Sequence, residues 1–204
     1  MKAIILRKHG GPEVLEHTEV PVPEPGYGQV SVCLKAIGVN RRDAFIRAGT
    51  YKRELPLILG IEGAGVVDGV GPGVTGWATA DRVVFYVADI LGAYAEYQVV
   101  PTDRLVKLPA ELSFQDAAAI FDHGLTAHYL STSTFPLRKG HRVLIQAAAG
   151  GVGCLLTQFA RRFGATVYGT VSTPEKADLI KKMGAHEAII YRGTDYVEAI
   201  NALT

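Results

Sequence analysis

The sequence predicts two fold classes in series: a β-rich domain over residues 1–126, then the first half of a doubly wound parallel α/β sheet over residues 127–204. Three observations carry this. The first half consists of short apolar runs broken by Gly and Pro, the pattern of a compact antiparallel β-domain. An apolar run at residues 143–149 then enters a turn holding Gly150, Gly151 and Gly153. Beyond it, strand-like and helix-like segments alternate, which implies parallel strands joined by right-handed crossovers.

Strands are expected in the first half at residues 2–8, 29–39, 63–70, 82–87 and 96–100, separated by turn clusters at 21–26 and 69–73. Ser113 followed by Asp116 reads as a helix cap with a first-turn acid. It opens a helix over 115–120, and a second helix is expected over 125–130. In the second half, a helix over 155–163 follows the glycine turn, then a strand at 166–171, a helix at 174–183 and a strand at 187–191. Gly164 and Gly184 stand where helices end on a left-handed residue, and Pro174 suits a helix's first turn.

The glycine turn points to a nucleotide. Without a Cβ at Gly150, Gly151 and Gly153 the backbone can turn sharply and approach a ligand. A pyrophosphate there would meet the unpaired N–H groups and positive dipole of the next helix. The usual G-x-G-x-x-G becomes Ala148-x-Gly150-x-x-Gly153, so an ordinary tight strand–helix turn stands as the alternative. Ala148, Gly150, Gly151, Val152 and Gly153 are the candidate phosphate contacts. Sites for NAD place an acid at the end of the second strand. Here that strand ends Gly169-Thr170-Val171-Ser172-Thr173, with no carboxylate before Glu175. This favours NADPH, with Ser172 and Lys176 near the 2′-phosphate and Tyr191 along the adenosine. Lys176 also reads as a solvated helix lysine, and Tyr191 as a strand-end aromatic.

Composition removes several classes. The chain has 204 residues, 48% of them hydrophobic, enough for two modest cores. With 21 basic against 20 acidic residues and no basic stripe, nucleic acid is not suggested as a partner. There is no apolar run of membrane-spanning length and no leader at Met1, so cytoplasmic residence is the expectation. Two isolated cysteines, Cys33 and Cys154, make neither a disulfide framework nor a zinc lobe. Cys154 reads as a small helix-packing residue, or as a thiol activated by the helix N-terminus.

Several separated motifs occur in one order: Lys8-His9-Gly10-Gly11-Pro12-Glu13-Val14-Leu15, Ala36-Ile37-Gly38-Val39-Asn40-Arg41-Arg42-Asp43, Gly49-Thr50-Tyr51, Gly60-Ile61-Glu62-Gly63-Ala64-Gly65-Val66-Val67, Asp81-Arg82-Val83, Gly124-Leu125-Thr126-Ala127, and the turn at 147–153. Together they resemble the zinc-independent, zeta-crystallin-like quinone oxidoreductases of the medium-chain dehydrogenase/reductase superfamily. The resemblance implies a GroES-like catalytic domain and a Rossmann domain, with the nicotinamide in a cleft between them, and a homodimer. It places Asn40 and Tyr51 in the catalytic cleft. The Asn40 amide would orient substrate or the nicotinamide ribose, and Tyr51 would either donate a proton or stack with the acceptor. Thr126 falls on the cofactor side, and Lys176 and Tyr191 near the adenosine. Zinc-containing relatives carry Cys and His where this chain has Asn40 and Ile61, so no metal is expected. Hydride donation from NADPH to a quinone or another electron-poor acceptor then replaces alcohol oxidation.

Two departures stand out. Asp122-His123 replaces the usual apolar residue or lysine before Gly124, and reads either as a solvated helix-end pair or as a titratable pair beside the cofactor. The chain also stops after one βαβαβ half, so the resemblance implies a shortened protein whose sheet edge another segment or chain would cover. Besides quinone reduction, enone or enoyl-thioester reduction and a non-catalytic, crystallin-like nucleotide-binding role remain open.

Overall fold

The computed structural model describes residues 1–193 and 195–204. The chain divides into two compact units, Met1–Asp122 and His123–Thr204.

The first unit holds two sheets. In the larger, β3 (Gln29–Ile37) lies between β7 (Tyr97–Pro101) and β5 (Glu62–Val70), and β5 continues to β6 (Arg82–Tyr86) and β8 (Leu105–Lys107), all antiparallel. Alternation along β3 and β6 sends Val30, Val32, Val83 and Phe85 into one core with Val67 and Val100. The smaller sheet pairs β1 (Lys2–Leu6) with β2 (Leu15–Glu19) and β4 (Leu57–Ile58). The strand expected at 29–39 stops at Ile37. Asn40 then opens a short helix, α1 (Arg41–Arg47), its backbone N–H donating to Asp43 Oδ2 at 2.9 Å. Sequence patterning misses α1, β2, β4 and β8. Each is short, and β2 reads Leu-Glu-His-Thr-Glu, largely polar because it lies at a sheet edge.

One expectation fails in an informative way. The helices expected at 115–120 and 125–130 are a single helix, α2 (Phe114–Tyr129), followed by a π-helical turn at Leu130–Thr134. A mid-helix glycine costs only about 1 kcal/mol. Burial of Ala117 and Ala118 before Gly124 and of Ala127 after it outweighs that cost. Ser113 caps it as expected, its Oγ accepting from the Asp116 N–H. The division between units falls inside this helix, between Asp122 and His123.

In the second unit β9 (Arg142–Ile145), α3 (Gly151–Arg162), β10 (Thr166–Val171), α4 (Pro174–Lys182), β11 (Glu187–Ile190) and α5 (Tyr196–Leu203) follow in order. The sheet is parallel, ordered β11-β10-β9. It forms the first half of a Rossmann sheet, while the first unit is the GroES-like part of the fold. Ile145, Val167 and Val171 from the strands meet Ala160 of α3 and Ile180 of α4 in one core. Gly164 and Gly184 do end α3 and α4 on positive φ, +81° and +110°. Helix α3 begins four residues earlier than expected, so its first turn contains Gly151 and Gly153.

Gly65 of β5 pairs with Leu34 of β3: a Cβ there would sit 2.2 Å from the Cys33 carbonyl oxygen, whereas one at Gly69 meets only ordinary contacts. Gly65→Ala is therefore expected to lower stability by about 2 kcal/mol or more, because the obstacle is backbone. Gly69→Ala is expected to stay within about 0.5 kcal/mol of the parent, and urea unfolding of the two variants checks the contrast.

Candidate functional site

The turn between β9 and α3 is built differently from its sequence reading. Its left-handed residue is Ala147, at φ +49°, whereas the N-cap Gly150 has φ −80°. Thr170 of β10 supports this strained position, its Oγ1 accepting from the Ala147 N–H at 3.2 Å and its carbonyl from the Ala148 N–H at 3.0 Å. The glycines supply clearance. A Cβ on Gly153 would lie 2.5 Å from the Ala147 carbonyl oxygen, and one on Gly151 would lie 2.4 Å from the His123 ring. Ala148, standing where the fingerprint has its first glycine, is fully buried in the core, and Ala147 and Ala149 line the concavity instead.

No side chain caps α3, whereas Thr173 caps α4 and Asp195 caps α5. The first intrahelical bond runs from the Cys154 N–H to the Gly150 carbonyl. The N–H groups of Gly151, Val152 and Gly153 precede it and have no partner within the helix. Beside this end lie two adjoining concavities at the carboxyl ends of the strands. One, about 390 Å³, is lined by Gln146, Ala147, Thr170 and Tyr191. The other, about 170 Å³, brings Ala147, Gly150, Ser172, Lys176 and Tyr191 together. Lys176 Nζ donates to Ser172 Oγ at 3.1 Å. The nearest acid in sequence, Glu175, is held below the usual carboxylate range by the Thr173 hydroxyl at the α4 cap. Thr126 is half-buried on α2 and is not among the residues lining these concavities.

Asp122 and His123 are not a helix-end pair, because α2 runs through them. The His123 ring lies against the first turn of α3, in the room that Gly151 leaves. The Asp122 N–H donates to Glu62 Oε2 at 3.0 Å. Cys154 is no activated thiol either; burial pushes its pKa up.

In the first unit, Asn40 is buried and its Nδ2 donates to Glu62 Oε1 at 2.7 Å. A carboxylate only accepts, so this contact fixes which way the amide faces and turns Oδ1 away from Glu62. Glu62 is itself buried, and its carboxylate fills the space beside Gly38, where a Cβ would lie 2.0 Å from Oε1. Asp43 Oδ2 accepts both the Asn40 N–H and the Tyr94 hydroxyl, the latter at 2.9 Å. Burial, and then the charge of Asp43, push the Tyr94 phenol well above its usual range. Tyr51 is half-exposed, its ring 5.3 Å from that of Phe45, and both line a concavity of about 450 Å³ with Arg42, Lys52 and Arg53. Sequence reasoning missed Asp43, Tyr94, Thr170 and the contact of Glu62 with Asn40. Only Asn40-x-x-Asp43 carried a readable signal, the spacing of a helix cap.

Residues 26–110 match the family described as Alcohol dehydrogenase GroES-like domain, and residues 151–204 match Zinc-binding dehydrogenase. The chain is 44% identical over its whole length to a quinone oxidoreductase of Pseudomonas aeruginosa, covering 62% of that protein. A structure of Escherichia coli quinone oxidoreductase complexed with NADPH superposes on the whole chain with a TM-score of 0.97 at 42% identity, again covering 62% of that chain. The chain belongs to the medium-chain dehydrogenase/reductase superfamily. A 2-haloacrylate reductase of Burkholderia sp is 41% identical over 99% of this chain and 62% of its own length. The chain thus spans about three-fifths of the length of these medium-chain reductases. Among the described residues, no helix is long and apolar enough to cross a membrane, and no three His, Cys, Asp or Glu side chains are grouped to hold a metal ion.

Removing the Tyr94 hydroxyl tests the buried network. Tyr94→Phe leaves the buried Asp43 one donor short and is expected to cost about 1–3 kcal/mol near neutral pH. The raised phenol pKa contributes stability that is fully present below the unfolded value of 10.0 and is lost as pH rises above it. The variant is therefore expected to lose less stability than the parent between pH 9 and 11, as read by urea titrations.

Proposed function

We propose that the protein is an NADPH-dependent, zinc-independent oxidoreductase that reduces a quinone. The observation that carries this reading is the end of β10: Lys176 bonded to Ser172 beside the uncapped α3, with no carboxylate before Glu175. A dinucleotide fits that arrangement. Free N–H groups of Gly151, Val152 and Gly153 suit the pyrophosphate, Lys176 and Ser172 a 2′-phosphate, and Tyr191 an adenosine face. A catalytic zinc does not fit, since Asn40 and Ile61 offer neither thiolate nor imidazole where zinc-containing relatives carry their ligands.

When bound, the reduced nicotinamide supplies a hydride to an electron-poor acceptor. The protein's contribution is position and polarity. Glu62 holds the Asn40 amide so that Oδ1 accepts a hydroxyl or amide N–H from the ligand, and the Tyr51 phenol offers a proton or a stacking face to the acceptor. Thr126 would face the cofactor. By resemblance the protein is a cytoplasmic homodimer. An activated alkene is the second acceptor class, favoured by the likeness to a 2-haloacrylate reductase.

NADPH and NADH titrations, followed by quinone and enone acceptors on the same folded sample, test the reading. NADPH is expected to bind more tightly and to be oxidised by quinones. Lys176→Ala is expected to lower NADPH affinity by about tenfold, the loss of one charged hydrogen bond, with little change for NADH. Unchanged cofactor preference would reject the Lys176 assignment, and tight NADPH binding without turnover would leave a nucleotide-binding protein.

A further inference from the structure

The concavity at Tyr51 carries an electrostatic bias that quinone reduction does not require. Of its five lining residues, Arg42, Lys52 and Arg53 are cationic and Phe45 and Tyr51 aromatic, with no carboxylate among them. The chain as a whole is balanced, at 21 basic to 20 acidic residues, so three cations around one hollow are not a by-product of composition. The charges play different parts. The Arg42 guanidinium is tied to the Ala88 carbonyl at 2.9 Å and forms a fixed wall. Lys52 and Arg53 are exposed at the rim and enter no ion pair among the described residues. A further cation, Arg41, lies 5.3 Å from the centre of the Phe45 ring and adds to the positive field. The Phe45 and Tyr51 rings, tilted 58° to one another, give an apolar flank for a flat molecule.

We propose that the acceptor taken at Tyr51 is an anion: a flat, electron-poor π-system carrying a carboxylate or sulfonate that lies against the aromatic pair while Lys52 and Arg53 meet its charge. This rests on the reading of Tyr51 as the acceptor site. The acid group is a handle and is not consumed. Hydride and proton reduce the π-system, NADPH leaves as NADP⁺, and the anion departs with its charge unchanged. Two partly solvated cations within several ångströms of one anion are together worth about tenfold in affinity at low salt, and less as salt screens them.

The test reads binding, so it needs neither cofactor nor turnover. Anthraquinone-2-sulfonate and the neutral 2-(hydroxymethyl)anthraquinone are titrated against the full chain at low and high salt. The sulfonate is expected to bind about tenfold more tightly at low salt, with the advantage shrinking at high salt. In the double variant Lys52→Gln, Arg53→Gln the ratio is expected to fall close to one. Tyr51→Leu, in contrast, is expected to weaken both probes together. Equal affinities in the parent, a preference that survives the double variant, or probes indifferent to Tyr51→Leu would each overturn the proposal. NADPH affinity, measured on the same samples, reports separately on the cofactor reading and on folding.

Discussion

The approach of α3 to the end of β9 depends on one missing atom. A Cβ at Gly153 would lie 2.5 Å from the Ala147 carbonyl oxygen, and the chain reverses through Ala147 at positive φ. A left-handed alanine costs of order 1 kcal/mol or more. Hydrogen bonds from the Ala147 and Ala148 N–H groups to Thr170 hold it there. The result is a helix whose first N–H groups have no partner within the helix at the carboxyl ends of parallel strands, where doubly wound folds take their ligands. Ser172, Lys176 and Tyr191 acquire their meaning from that placement.

A second constraint orders the first unit. Buried carboxylates are costly unless they are hydrogen-bonded: Glu62 accepts from the Asn40 amide and the Asp122 N–H, and Asp43 Oδ2 accepts from the Asn40 N–H and the Tyr94 hydroxyl, while Asp43 Oδ1 has no partner among the described residues. The network therefore does more than cap α1. It fixes which way the Asn40 amide faces and anchors the helix that carries Phe45 and Arg42. Gly38 belongs to the same device, since any side chain there would displace the Glu62 carboxylate.

What was legible from sequence follows from the range of the forces involved. Strand β10 and helix α4 were read within a residue, because apolar periodicity, a proline at the helix start and glycine after its end act locally. The join of 115–120 to 125–130 into α2 was not legible, since burial on both sides of Gly124 outweighs one glycine's propensity. The sequence pattern identified the glycine turn, but Gly151 and Gly153 are needed for clearance rather than for positive φ, and the strained residue is an alanine. Thr170 and Tyr94 were invisible as site residues because their partners lie 23 and 51 positions away in the chain, whereas the Asn40–Asp43 contact, 3 positions apart, has the local signature of a helix cap.

The central claim is that the end of β10 recognises a 2′-phosphate. Equilibrium titration of the chain with adenosine 2′,5′-bisphosphate and with adenosine 5′-monophosphate isolates that contact from the nicotinamide and from any acceptor. Lys176 and Ser172 together should make the bisphosphate bind at least about tenfold more tightly at low salt. Equal affinity, or preference for the monophosphate, would contradict it.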